Sequence, residues 1–134
     1  MILFLRALFA VVFASMLGVT TWASLHQPLG DFFRSPAFRD PWVIATLFDA
    51  YWAFVAFFVW VAWKEQSLAA RLLWFVSLIA LGNLAIAIYF LVQLFRVSPS
   101  SPDALTTVFT QRRPGHLALP GTLAALSVAI YLLA

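Results

Sequence analysis

The chain has no cysteine and very little charge: eight basic and five acidic side chains in 134 residues. Without cysteine there are no disulfides, no thiolate chemistry, no iron–sulfur cluster and no cysteine-ligated zinc. Lysine is nearly missing too, since seven of the eight basic residues are arginine and Lys64 is the exception. No nucleophile–base pair, phosphate-binding loop or carboxylate cluster with metal-ligand spacing appears, so no catalytic constellation can be assembled. The net charge of +3 does not point to nucleic acid, because the basic residues are spread one or two per loop and form no stripe.

What the chain does have is apolar length. Hydrophobic residues make up 64% and charged residues 10%, against roughly half and about a quarter in soluble domains. Thirteen charges could not cover the surface of a soluble fold this apolar, whereas lipid accepts an apolar surface. Four apolar stretches stand out, at about 2–25, 42–63, 72–95 and 117–134. At 1.5 Å per residue the first three can cross a hydrocarbon core of about 30 Å. The fourth is near the lower limit and could stop short as a half-helix. The expectation is a single all-α domain over residues 1–134, a polytopic bundle of four transmembrane helices in a membrane such as the bacterial inner membrane. The first stretch could instead be a signal peptide, but its one cleavage-like sequence, Thr21-Trp22-Ala23, places Trp beside the cut, so retention is favoured.

Boundary markers agree with this division. Asp40-Pro41 opens the second helix, with proline tolerated in the first turn. Trp42 and Trp63 bracket that helix as interfacial aromatics. Lys64-Glu65-Gln66-Ser67 reads as a short polar turn, and Ser98-Pro99-Ser100-Ser101-Pro102-Asp103 stops the third helix. If the third stretch is continuous, the longer loops at about 27–40 and 97–116 share one side of the membrane, and the short turn and both chain ends share the other. The basic residues then divide almost evenly and orient the chain only weakly. Small residues four apart, Ala10, Ala14 and Gly18 in the first helix and Gly121, Ala125 and Ala129 in the fourth, are candidate packing stripes.

Asp49 is the most informative polar residue, two turns inside the second helix. A carboxylate at that depth must be paired, protonated or wet. Counted by depth, Thr46, Thr20, Thr21, Tyr89 and Gln93 can join it in one polar layer, with Asn83 deeper. Asp49 could fix helix register, titrate as a proton or cation site, or pair with an arginine reaching in, such as Arg96 or Arg39. Arg112-Arg113 fits lipid headgroups, and bound lipid is expected. His26 and His116 end the first helix and begin the fourth, placing them at one interface. A facing pair could ligate a haem or a pigment's magnesium, but their loop positions argue against it. No metal or other cofactor is expected.

The stretches DPWVIATLFDAYWAFVAFFVWVAWKEQS and RLLWFVSLIALGNLAIAIYFLVQLFRVSP resemble a family of small plant and bacterial membrane proteins, domain of unknown function 1475. The likeness is carried by Pro41-Trp42, Ala45-Thr46-Leu47 with Asp49 and Tyr51, Trp60-Val61, Lys64-Glu65, Trp74, Gly82, Tyr89, and Gln93-Leu94-Phe95 before Ser98-Pro99. It covers about 40–100 and, more loosely, the first helix. The resemblance implies a membrane architecture and supplies no catalytic residue, though it places Asp49 within a matched motif. The leading functional expectation is a small non-catalytic accessory subunit of a larger membrane complex of respiratory or photosynthetic type, partnered by lipids and other membrane subunits. The alternatives are an oligomeric proton- or cation-coupled transporter using Asp49, and a lipid-modifying enzyme using Asp49 or Asp40.

Overall fold

The computed structural model describes residues 1–133. Among them the chain is all-helical: α1 (Ile2–His26), α2 (Leu29–Arg34), a 3-10 turn (Pro36–Arg39), α3 (Pro41–Lys64), α4 (Leu68–Leu81), α5 (Asn83–Phe95), α6 (Ala104–Thr110) and α7 (Ala118–Leu133). Two helices, α1 and α3, are long and apolar enough to cross a membrane.

Local chemistry sets the boundaries. Asp40 caps α3, its carboxylate accepting from the amides of Trp42 (2.8 Å) and Val43 (3.3 Å), with Pro41 in the first turn. Ser67 caps α4 by accepting from the Ala70 amide. Proline at 99 and 102 prevents α5 from continuing.

The third apolar stretch is not one helix. Gly82 adopts φ 53°, ψ −125°, a conformation closed to residues with a side chain, and α4 ends there while α5 begins. The two helices then run back alongside each other. Trp74 and Tyr89 have ring centroids 4.8 Å apart, whereas a straight helix would separate them by roughly 22 Å. The expected helix 72–95 is therefore a helical hairpin, and the reason is one backbone conformation that hydrophobicity does not report.

The hairpin reorganises the molecule around two ends. One end, here the polar end, gathers the start of α1, the end of α3, the start of α4, the end of α5, α6 and the start of α7. Ile2 packs with Leu94, Ala104 and Val108, and Phe9 stacks on Phe90 at 4.1 Å. The backbone at Arg113 pairs with the α3–α4 turn, Gln66 N–H donating to Arg113 O and Arg113 N–H to Lys64 O. Among the described residues the far end holds only the end of α1, α2, the 3-10 turn and the start of α3. Loop 97–116 thus shares its end with turn 64–67, not with loop 27–40.

The core lies between the hairpin, α3 and α7, where Val61, Trp74, Leu78, Ala85, Tyr89 and Leu123 are buried together. The packing face of α7 is Pro120, Leu123, Ala124 and Ser127, so Ala125 and Ala129 point away from it. The α1 stripe of Ala10, Ala14 and Gly18 is exposed, and nothing lies within 4 Å of where a Gly18 Cβ would be. Neither small-residue stripe packs within the chain in the expected way.

Candidate functional site

Polar chemistry concentrates at the polar end, under the α3–α4 turn. Lys64 closes α3 and Glu65 follows it, and both are about as buried as the apolar core, at 1% and 2% exposure. The chain turns there because Ser67 restarts the helix, which leaves the two side chains beneath the covering segment 108–113. Tyr89 Oη donates to Glu65 Oε1 at 3.0 Å. The Lys64 ammonium donates to the carbonyl of Val108 and lies 5.3 Å from the centre of the Trp60 ring. Arg71 Nε donates to the Glu65 carbonyl at 2.7 Å. Burial pushes the Glu65 carboxyl above its ordinary 4.5, and the Tyr89 hydrogen bond and the charges of Lys64, Arg96 and His116 only partly oppose this.

Two further groups complete this end. Arg6 reaches across to cap α5: Nη2 donates to the carbonyls of Leu94 (2.9 Å) and Val97 (2.8 Å), Nε donates to Leu94, and Cζ sits 4.6 Å from the centre of the Phe95 ring. A cation on orphan carbonyls at a helix C-terminus is favoured by both hydrogen bonding and the helix dipole. Arg112 Nε donates to Trp63 O at 3.0 Å, with its guanidinium 6.0 Å from that ring.

The expected polar layer divides. Tyr89 and Gln93 are buried beside Glu65, while Asp49, Thr46, Thr20, Thr21 and Asn83 are exposed elsewhere. The hydroxyls of Thr46 and Thr20 turn back on their own helix, to Trp42 O and Met16 O. Along α3, Asp49 and Glu65 stand roughly 24 Å apart, so Asp49 cannot share a site with the residues around Glu65. The cause is the fold-back at Gly82, which carries Tyr89 and Gln93 to the opposite end from the one expected.

His26 and His116 are likewise separated. His26 ends α1 at the far end, with Nδ1 2.8 Å from Trp22 O, and His116 precedes α7 at the polar end, near enough to bias Glu65. They cannot jointly hold a macrocycle. Among the described residues no group of three or more His, Cys, Asp or Glu could hold a metal ion. Trp42 and Trp63 are exposed at opposite ends of α3.

Reading the sequence assigned no site role to Glu65, Lys64 or Arg6, and took Arg96 only as a candidate partner of Asp49. Arg6 carried a signal, being a lone cation inside an apolar stretch. Lys64-Glu65 looked like a solvated turn, and only the covering segment, distant in sequence, buries it. The arrangement offers a register lock, in which one polar network ties α3, α4, α5 and α6 together.

No curated protein and no solved structure matches the chain. The model of one family of proteins of unknown function, DUF1475, matches residues 1–119, and the chain belongs to that family.

Proposed function

We propose that this protein is a small, non-catalytic accessory subunit embedded in a larger membrane assembly. In this reading α1 and α3 are its two full crossings. Trp42 and Trp63 lie roughly 31 Å apart along α3, which matches a hydrocarbon core of about 30 Å. Helices α4 and α5, roughly 20 Å each, enter from the polar end and return to it as a re-entrant hairpin. The half-helix α7 follows them in. This arrangement of two crossings, a re-entrant hairpin and a half-helix takes the place of four crossings. The backbone groups freed at a mid-membrane break need partners, and Tyr131 at the end of α7 supplies one by donating to Ala80 O at 3.0 Å.

One observation carries the accessory role. Beyond the hairpin tip, the start of α3 has the 3-10 turn beside it, and Asp49 is exposed there. A carboxylate on a lipid-facing surface costs several kcal/mol, about 2.5–3.5 on insertion scales. A partner helix bearing a hydrogen-bond donor would remove that cost. It could also approach closely along Ala10, Ala14 and Gly18. Positive-inside counting now gives a clear orientation, because the polar end holds Arg6, Lys64, Arg71, Arg96, Arg112 and Arg113 and the far end only Arg34 and Arg39. The polar end faces the cytoplasm.

Mild-detergent extraction followed by native electrophoresis tests the proposal. The protein should migrate within a larger species, and Asp49→Leu should shift it towards the free form. Recovery of the parent solely as a small free species refutes the accessory role.

A further inference from the structure

A cavity at the polar end has the chemistry of an anion site. It occupies about 200 Å³ between the end of α5, α6 and the segment leading to α7. Its lining includes Arg96, Arg112, Arg113, Gln93, Thr107 and Gln111, and contains no acidic residue. Three arginines lining one small cavity with no acidic residue among them give it an excess of positive charge that favours an anion. Arg112 commits only Nε to the Trp63 carbonyl, which leaves its terminal nitrogens for a ligand. Arg113 is held by its backbone through the pairing with Lys64 and Gln66, so its side chain is not needed to keep the loop in place.

An independent observation lies at the floor of the cavity. Gln93 is 5% exposed, and its Nε2 is buried with no hydrogen-bond partner. Its amide lies near enough to Tyr89 to influence the phenol, yet the donor completes no bond. A buried donor left unpaired is destabilising, and an acceptor oxygen reaching it relieves that cost.

We propose that this cavity binds a phosphate oxyanion, with Arg96, Arg112 and Arg113 neutralising its charge and Gln93 donating from below. Guanidinium forks match phosphate oxygens in geometry as well as charge. Two sources share this chemistry, the headgroup of an anionic phospholipid and a soluble phosphate. The cavity adjoins Trp63, which the membrane reading places at the interface, so the phospholipid source rests on that reading and the soluble source does not.

Calorimetric titration of the full chain in a neutral detergent tests the site, with three probes: dioleoylphosphatidylglycerol, inorganic phosphate, and dioleoylglycerol as the phosphate-free control. Binding of the first or second, and not of the control, is expected. Arg96→Gln and Arg113→Gln should each weaken it about tenfold or more, the loss of one charge-assisted contact, with helicity by circular dichroism unchanged. Gln93→Leu should weaken it as well. Binding of the phospholipid alone assigns the headgroup, and binding of inorganic phosphate assigns a soluble ligand. No binding of either probe, equal binding of dioleoylglycerol, or unaltered affinity in helical Arg96→Gln and Arg113→Gln overturns the proposal. Native electrophoresis does not depend on the cavity, so this proposal and the accessory role fail separately.

Discussion

Replacing Gly82 with alanine should shift the side of the membrane on which the C-terminal third of the chain lies. At φ 53°, ψ −125° a side chain costs about 1–3 kcal/mol in backbone strain. The added Cβ would meet Phe54 Cζ at 2.7 Å and Cε2 at 3.0 Å, an overpacking cost of about 1–3 kcal/mol. Alanine also favours a continuous helix over glycine by about 1 kcal/mol. The hairpin is therefore disfavoured by about 3–7 kcal/mol. Opposing this are the Tyr89–Glu65 hydrogen bond, worth about 0.5–1.5 kcal/mol, and the edge-on contacts of Tyr89 with Phe57, Trp60 and Trp74, about 0.5–1.5 kcal/mol each. The two sides are comparable, so a mixed population is expected. Its second member has a straight helix from Leu68 to Phe95, roughly 42 Å long and able to span.

The chain's lack of cysteine makes the assay direct. Single cysteines at Gln27, Gln66 and Ser100, labelled with a membrane-impermeant maleimide, report sidedness. In the parent, Gln66→Cys and Ser100→Cys should react from one side and Gln27→Cys from the other. With Gly82→Ala, a substantial fraction of Ser100→Cys should become accessible from the Gln27 side. If Gln66→Cys and Ser100→Cys of the parent react from opposite sides, the hairpin is wrong. If Gly82→Ala changes neither labelling nor thermal stability, the strain argument is wrong.

Glu65 should make stability depend on pH. Its carboxyl titrates above 4.5 in the folded state, so its contribution is full below that value and is lost as pH rises through the elevated pKa. Glu65→Gln should flatten the thermal-midpoint profile above pH 4.5, and a parallel offset at all pH values would contradict this. Arg6→Met removes the cap on α5 and should cost about 2–4 kcal/mol, from charged hydrogen bonds to two carbonyls; a midpoint unchanged in urea or heat would show that the cap contributes nothing. Tyr89→Phe leaves Glu65 Oε1 without its donor and should cost about 1–3 kcal/mol, an effect that double-mutant analysis should find largely absent in a Glu65→Gln background.

The long helices were legible because length and hydropathy are additive properties of a stretch. The expected spans 2–25 and 42–63 became Ile2–His26 and Pro41–Lys64, and Asp40-Pro41 marked a true cap. The hairpin was not legible in the same way. Glycine is ordinary in membrane helices, and apolar side chains on both flanks of Gly82 give one uninterrupted signal whether the backbone continues or reverses. The one cue was the Gly82-Asn83 pair, a turn dipeptide. Missing that reversal moved Tyr89 and Gln93 to the wrong end and made Asp49 the centre of a polar layer. The buried pair Lys64-Glu65 was hidden for another reason. Its cover is backbone from residues 108–113, some 45 positions away, and nothing local distinguishes a covered turn from a solvated one.

The hairpin also makes sense of the charge distribution. With a continuous third helix the basic residues divide almost evenly across the membrane and no orientation follows. Folding back at Gly82 brings Arg96, Arg112 and Arg113 to the end that already holds Arg6, Lys64 and Arg71. In the membrane reading proposed above, that asymmetry would hold the polar end on the cytoplasmic side during insertion. It also concentrates cations where Glu65 supplies a single buried acid, leaving the α5–α6 cavity with an excess of positive charge. Sidedness, the buried Glu65–Tyr89 bond and the cationic cavity thus all depend on the same reversal. A straight segment from Leu68 to Phe95 would separate Glu65 from Tyr89 by roughly 36 Å and abolish all three together.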